Sequence, residues 1–262
     1  MRQALGIFAF ALLAFIPFSA RADQWNKHWS VGPRPELRIH AGDAAVTVIG
    51  GSGNGIDANL TTRGWRIGAD GVQISEHQMA NFVEIDVKVP STHFSMGQRE
   101  IRLEVRVPRE LTGDIHTGDG SIQLRGLHGA LRVDTGDGSI HGDDLDGSLE
   151  AQSGDGSVHI QGRFDDLRLH TQDGSVELSA DQGSRLKTDW RVQTGDGSVR
   201  VRVPRDLAAD LNLHTGDGSI HLDGPSLSVT GTQSGHEVHG KLNGGGRALT
   251  VQTGDGSITF GS

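Results

Sequence analysis

Seven aspartates recur in one setting. Asp119, Asp137, Asp196, Asp217 and Asp255 each sit in Thr-Gly-Asp-Gly-Ser, Asp155 in Ser-Gly-Asp-Gly-Ser and Asp173 in Thr-Gln-Asp-Gly-Ser, always followed by Ile or Val. Their spacings are 18, 18, 18, 23, 21 and 38 residues. Carboxylates repeated in this way can hold Ca²⁺, as glycine- and aspartate-rich nonapeptide repeats do. The Gly-Gly-x-Gly-x-Asp spacing of those repeats is absent here. Turn chemistry is the favoured reading: Asp bonds its own turn, Gly takes positive φ, and Thr and Ser build hydroxyl ladders. If the turns stack, neighbouring carboxylates stand near ~5 Å apart and repel by ~1 kcal/mol in water.

The 13 histidines are the next candidates. His141 and His159 lie one repeat apart, just after Ile140 and Val158, while His116, His170 and His214 precede a turn residue. Two His at that separation could take Zn²⁺ or Cu²⁺, or sense acid below pH ~6.5. The column continues as Glu177, Arg200 and His221, and such a mixture reads as a solvated face. Catalytic signatures are missing: there is no Gly-x-Ser-x-Gly and no His-Glu-x-x-His, and the Gly50 to Gly55 run lacks the following helix and Lys of a phosphate loop. A β-helical polysaccharide lyase or hydrolase would need facing carboxylates or a base beside aromatic subsites. The four tryptophans do not make such a floor: Trp25 and Trp29 stand near the N-terminus, Trp65 is alone, and Trp190 falls at an inward position. Cysteine is absent, which removes disulfides and thiolate chemistry. No catalytic, cofactor-binding or metal residue is assigned, no cofactor is expected, and no enzyme is expected.

The elements that position these residues are short strands. Leu131/Val133, Leu167/Leu169, Trp190/Val192, Leu211/Leu213 and Leu249/Val251 lead into the turns, and Ile122/Leu124, Val158/Ile160, Val176/Leu178, Val199/Val201, Ile220/Leu222 and Ile258/Phe260 leave them. Period-two alternation broken by Asp-Gly predicts strand, tight turn, strand. Leu127, Leu145 and Phe164 could fill a third corner. Five or six inward side chains per repeat cannot close a core, but stacked repeats can. A β-solenoid pairs equivalent strands of successive coils in parallel, whereas a stack of antiparallel hairpins would close each Asp-Gly as a hairpin. The fixed register over three intervals of 18 favours an all-β, right-handed β-solenoid with ~18-residue coils. A worn copy stands at Thr232 to Val238 and a faint one at Ala41 to Val46. The expected organisation is a signal peptide over 1–22, a linker over 23–35, an irregular β-rich start or cap over 36–110, and the repeat solenoid over 111–262. With 39 Gly and only 5% aromatics, a thin repeat structure is expected rather than one thick core. Glycine does not fall at every third position, so collagen is excluded.

Address and charge narrow the partners. Arg2, an uncharged apolar run from Ala4 to Phe18 and Ala20-Arg21-Ala22 predict export with cleavage after Ala22, into the periplasm or beyond the cell. Loss of Arg2 and Arg21 would take the net charge from −9 to −11, a field that repels nucleic acid and anionic lipid. No later stretch is apolar enough to cross a membrane as a helix. A protein or an envelope glycan is the expected partner class.

Val-Pro-Arg-Glu-Leu at 107–111 and Val-Pro-Arg-Asp-Leu at 203–207, each followed by a Thr-Gly-Asp-Gly-Ser-Ile turn, resemble the bacterial putative-adhesin family of β-strand-repeat domains. The resemblance covers roughly residues 36 to 262. It implies an exported or envelope-associated β-helix with an adhesive role, and it brings no catalytic motif. On the sequence alone a departure from surface adhesins as usually built is expected, with no translocator barrel and no sorting signal at Phe260-Gly261-Ser262.

Overall fold

A computed structural model describes residues 22–90, 99–223 and 229–262. Strands and turns make up the described chain. The expected signal peptide lies outside these residues except for Ala22, which opens the first strand. In chain order the strands are β1 (Ala22–Ser30), β2 (Glu36–His40), β3 (Ala45–Gly51), β4 (Gly55–Arg63), β5 (Gln73–Met79), β6 (Phe82–Lys88) and β7 (Glu100–Pro108). There follow β8 (Glu110–Thr117), β9 (Ile122–Arg125), β10 (His128–Thr135), β11 (Ile140–Ser153), β12 (Val158–Thr171), β13 (Val176–Ala180), β14 (Trp190–Gln193) and β15 (Val199–Arg202). The last are β16 (Ala209–Thr215), β17 (Ile220–Asp223), β18 (Val229–Gln233), β19 (Glu237–Leu242), β20 (Ala248–Thr253) and β21 (Ile258–Gly261).

These strands stack as a β-solenoid. Strands flanking a turn pair with their equivalents in neighbouring coils, as at Leu131↔Leu149 and Ile140↔Val158, and the hairpin stack is thereby excluded. One parallel ladder collects the strands that lead into the turns, in the order β6, β2, β8, β10, β11, β12, β14, β20, β16. The other collects those that leave them: β7, β3, β9, β11, β12, β13, β15, β21, β17. β11 and β12 bend through the corner and serve both ladders. Inward residues are buried along the stack up to the outermost β17, where Ile220 and Leu222 are only partly buried, and Leu127, Leu145 and Phe164 are buried as their spacing predicts. Trp190 is fully buried, with its ring edge-on to Phe164 at 6.4 Å.

Neither end follows chain order. The first coil, β2–β3, lies inside the β6–β7 coil, and the last, β20–β21, lies between the β14–β15 and β16–β17 coils. The 38-residue gap before Asp255 has this origin, because the chain passes outward to build β16–β17 and then returns. The worn copy at 232–238 is not a coil turn: it joins β18 to β19, an antiparallel hairpin laid against β16. Residues 23–35, expected as a linker, contain most of β1, which pairs antiparallel with β4. Lys27, on the face shared by Trp25 and Trp29, breaks the apolar alternation and hides the strand from a pattern search. The faint copy at Ala41 to Val46 is a true member of the stack, with the carbonyls of Gly42 and Ala44 accepting bonds from Thr117.

Candidate functional site

The turn is built by threonine. Thr135 Oγ1 donates to the carbonyl oxygens of Gly118 (3.1 Å) and Gly120 (3.0 Å) one coil away, and accepts from Gly138 N–H in its own coil (3.3 Å). Thr171, Thr194 and Thr253 reach back to Gly156, Gly174 and Gly197 in the same manner, at 2.8–3.0 Å. All these hydroxyls belong to buried residues, so each bond satisfies a group with no access to water. The expected hydroxyl ladder is therefore a hydroxyl-to-carbonyl ladder.

Two expectations for this turn are corrected. Among the turn glycines only Gly42 has positive φ (44°). The second glycine is required because a Cβ at Gly138 or Gly156 would overlap the carbonyl of the glycine one coil away. Aspartate does not bond its own turn either. In spatial order Asp43, Asp119, Asp137, Asp155, Asp173, Asp196, Asp255 and Asp217 are all exposed. Hydrogen bonds close the turn through Thr and Gly, which leaves the carboxylates as an outward stripe. Among the described residues no cluster of three or more His, Asp or Glu is placed to hold a metal ion.

The outer faces carry long registered columns. On the ladder that leaves the turns, Asn26, Asn59, Glu104, Thr47, Gln123, His141, His159, Glu177, Arg200, Thr259 and His221 lie side by side across eleven strands. His141 and His159 stand 6.1 Å apart between ring centres, as the sequence places them. Each is held by an acid: His141 Nε2 lies 3.0 Å from Asp143 and His159 Nε2 2.8 Å from Glu177, which also binds Arg202 at 3.3 Å. His116, His170 and His214 belong to one column of the other ladder, where His116 Nδ1 meets Asp134 Oδ1 at 2.7 Å and Gln193 bonds Gln252 at 2.7 Å.

Several depressions interrupt these faces among the described residues, and two of them carry notable polar groups. One, of about 710 Å³, lies over β1, β4 and β7, where Asn59 donates to Asn26 (2.5 Å), His28 meets Asp57 (2.7 Å) and Arg106 meets Glu104 (3.0 Å). The other, of about 350 Å³, crosses β8, β10, β11 and β12 over the small residues Thr112, Ala130 and Ser148. Asp166 lines it, and its buried Oδ1 has no hydrogen-bond partner. Beside it Arg163 is bonded to Asp146 and Asp165, and Lys187 reaches Asp165 at 2.8 Å. The bond to Asp146 is the main reason the Arg163 pKa lies above its ordinary value. Burial alone would raise the Asp165 carboxyl, but Lys187 and Arg163 outweigh it and hold the pKa below the ordinary value. Nothing in the sequence pattern points to this corner network, because its members fall outside the turn repeat.

Among solved structures, the chain is similar to a putative adhesin from Parabacteroides merdae (10% identity, TM-score 0.47, 90% of this chain and 95% of that one). It is also similar to a putative lipid binding protein from Parabacteroides distasonis (13%, 0.44, 92% and 98%) and to a putative cell adhesion protein from Clostridium sporogenes (14%, 0.41, 91% and 99%). No curated protein matches the sequence. Residues 110–202, from β8 to β15, match the family Toastrack DUF4097. These are the coils in which the 18-residue spacing runs most regularly.

Proposed function

We propose that this chain is an exported, non-catalytic β-solenoid that acts as an adhesin-like interaction module in the periplasm or outside the cell, binding an envelope glycan or protein along its outer faces. The observation that carries the reading is the eleven-strand polar column, whose Asn26, Asn59 and Glu104 line the depression over β1, β4 and β7, while a second groove lies on the other ladder. Donors and acceptors repeat there every ~4.8 Å, the spacing of paired strands. An extended partner can thus be met by many weak contacts rather than one strong one. Export rests on the N-terminal segment, and the acidic net charge of −9 argues against nucleic acid as the partner.

Glycan and surface-binding screens with residues 23–262 test this reading. Binding that weakens when Asn59 and His159 are replaced by Ala supports it, and negatives across both screens reject it. N-terminal sequencing of the secreted product tests cleavage after Ala22. A second reading, stabilisation by Ca²⁺, is favoured by the exposed column of turn carboxylates. It is tested by calorimetry: a thermal midpoint equal in chelator and in millimolar Ca²⁺ removes it.

A further inference from the structure

We propose that residues 248–262 form an exchangeable coil through which two copies of this chain join. The coil is a middle layer although it ends the sequence: β20 lies between β14 and β16, and β21 between β15 and β17, parallel on both sides. Among the described residues no strand pairing links β14 to β16 or β15 to β17. The β16–β19 segment is therefore held to the rest of the stack through the last coil. Without that coil the molecule presents a slot with two strand-lined walls, and unpaired strand edges recruit other strands.

What fills the slot is generic in chemistry. Val251 to Ser257 and its neighbour Val192 to Ser198 are the same heptapeptide, Val-Gln-Thr-Gly-Asp-Gly-Ser. On one wall Thr253 Oγ1 donates to Gly197 O at 2.8 Å, and on the other Thr215 Oγ1 donates to Gly256 O at 2.7 Å. Leu249, Val251, Ile258 and Phe260 are buried in the shared core. A second copy's coil would make every one of these contacts, so exchange loses none of them. The connection before the coil suits a hinge: Asn243, Gly244 and Gly245 have φ of 49°, 90° and 85°, and Gly246 follows. Exchange of an identical element between protomers is a low-cost route to a dimer, with the hinge and protein concentration setting the balance.

The test uses the full chain, whose lack of cysteine makes engineered thiols the only ones. Arg191 and Thr250 are register partners across β14 and β20. R191C and T250C chains are mixed at high concentration, held just below the melting midpoint, cooled and oxidised. Exchange yields a dimer containing the 191–250 disulfide, expected at roughly ten times the level of the mid-stack pair R132C with E150C. The doubly substituted chain, oxidised before mixing, stays monomeric. Equal cross-linking in test and control pairs would overturn the proposal. Native mass spectrometry of light and isotopically heavy unmodified chains is an independent measurement: mixed dimers after incubation support exchange, and monomers alone reject it.

Discussion

The two ends of the solenoid share a topology and differ in how they are sealed. At each end the terminal coil is set one place inward, beneath a coil made later or earlier in the chain. The N-terminal end is closed by aromatic weight. Trp29 is 4% exposed, Trp25 stands 6.1 Å from it, and Arg99 lies 4.1 Å above the Trp65 ring. β1 on one ladder and β5 on the other are tied by Lys27–Glu76 (2.6 Å) and by Gln78 Nε2 donating to Ser30 O (2.9 Å). At the C-terminal end β18 and β19 cover the ladder of β16, while Ile220 and Leu222 of β17 remain only partly buried. Solenoid stability is approximately a sum over coils and their interfaces. Unequal seals therefore place the weak interface at the C-terminal end, and unfolding should begin there.

The largest expected effect is at the seals themselves. Trp29→Ala should cost ~3–5 kcal/mol by denaturant unfolding, and Leu222→Ala, at a partly exposed position, no more than ~1–2 kcal/mol. Equal losses would break the asymmetry. Next come the tight glycines that adjoin the inserted coils. A methyl at Gly120 would strike the Ala44 carbonyl and one at Gly218 the Gly256 carbonyl. Gly120→Ala should cost ~3 kcal/mol, whereas Gly218→Ala should cost less because the loosely held outer coil can shift. Thr117→Val and Thr215→Val each remove a bridging hydroxyl, and each should lower stability by ~1–3 kcal/mol. Thr117 bonds two carbonyls, Gly42 at 2.6 Å and Ala44 at 3.1 Å, so it should show the larger loss.

The middle of the stack supplies a reference in acid. The Asp165 pKa is lowered on folding, so its stabilisation is complete above its ordinary value of 3.8 and disappears as pH falls through the lower folded value. Asp165→Asn should flatten that acid limb of the stability curve and leave the Trp29-to-Leu222 difference unchanged. Smallest of all is the exposed pair across the N-terminal seal: Lys27→Gln should cost ~0.5 kcal/mol or less, diminishing with salt. Hydrogen exchange at single-residue resolution provides an independent ordering, with β17 amides expected to exchange before those of β1.

Much of the stack was legible because its columns are written in sequence. Ile122, Ile140, Val158 and Val176 recur at 18, and the structure aligns them. Coil order was not legible at the ends, and the reason is physical. Nearly every turn offers the same side-chain hydroxyl, Thr or in one case Ser153, and a carbonyl in the same place, so local chemistry permits most coils to follow one another. Only the spacings of 23, 21 and 38 carried a hint. The aspartate was misread for a related reason: Asp-Gly is a strong turn signal, but the buried threonine took the bonding role and left the carboxylate outside. Of the candidate faces, the His141–Glu177 column was readable by counting. The grooves over β1 and beside Asp166 were not, because they depend on an antiparallel strand and a corner that lie outside the repeat.

The threonine-to-carbonyl bridge has a consequence for size. With Ser153 Oγ taking the place of threonine at Gly138 O (2.9 Å), it joins successive coils of the repeat through equivalent atoms and refers to nothing farther away. A coil of 18 residues added between Asp137 and Asp155 would meet both neighbours as they now meet each other, and would lengthen the molecule by ~4.8 Å. Reach is thus a quantity this architecture can change by whole steps without redesigning any contact, so related chains can differ in span while keeping one joint.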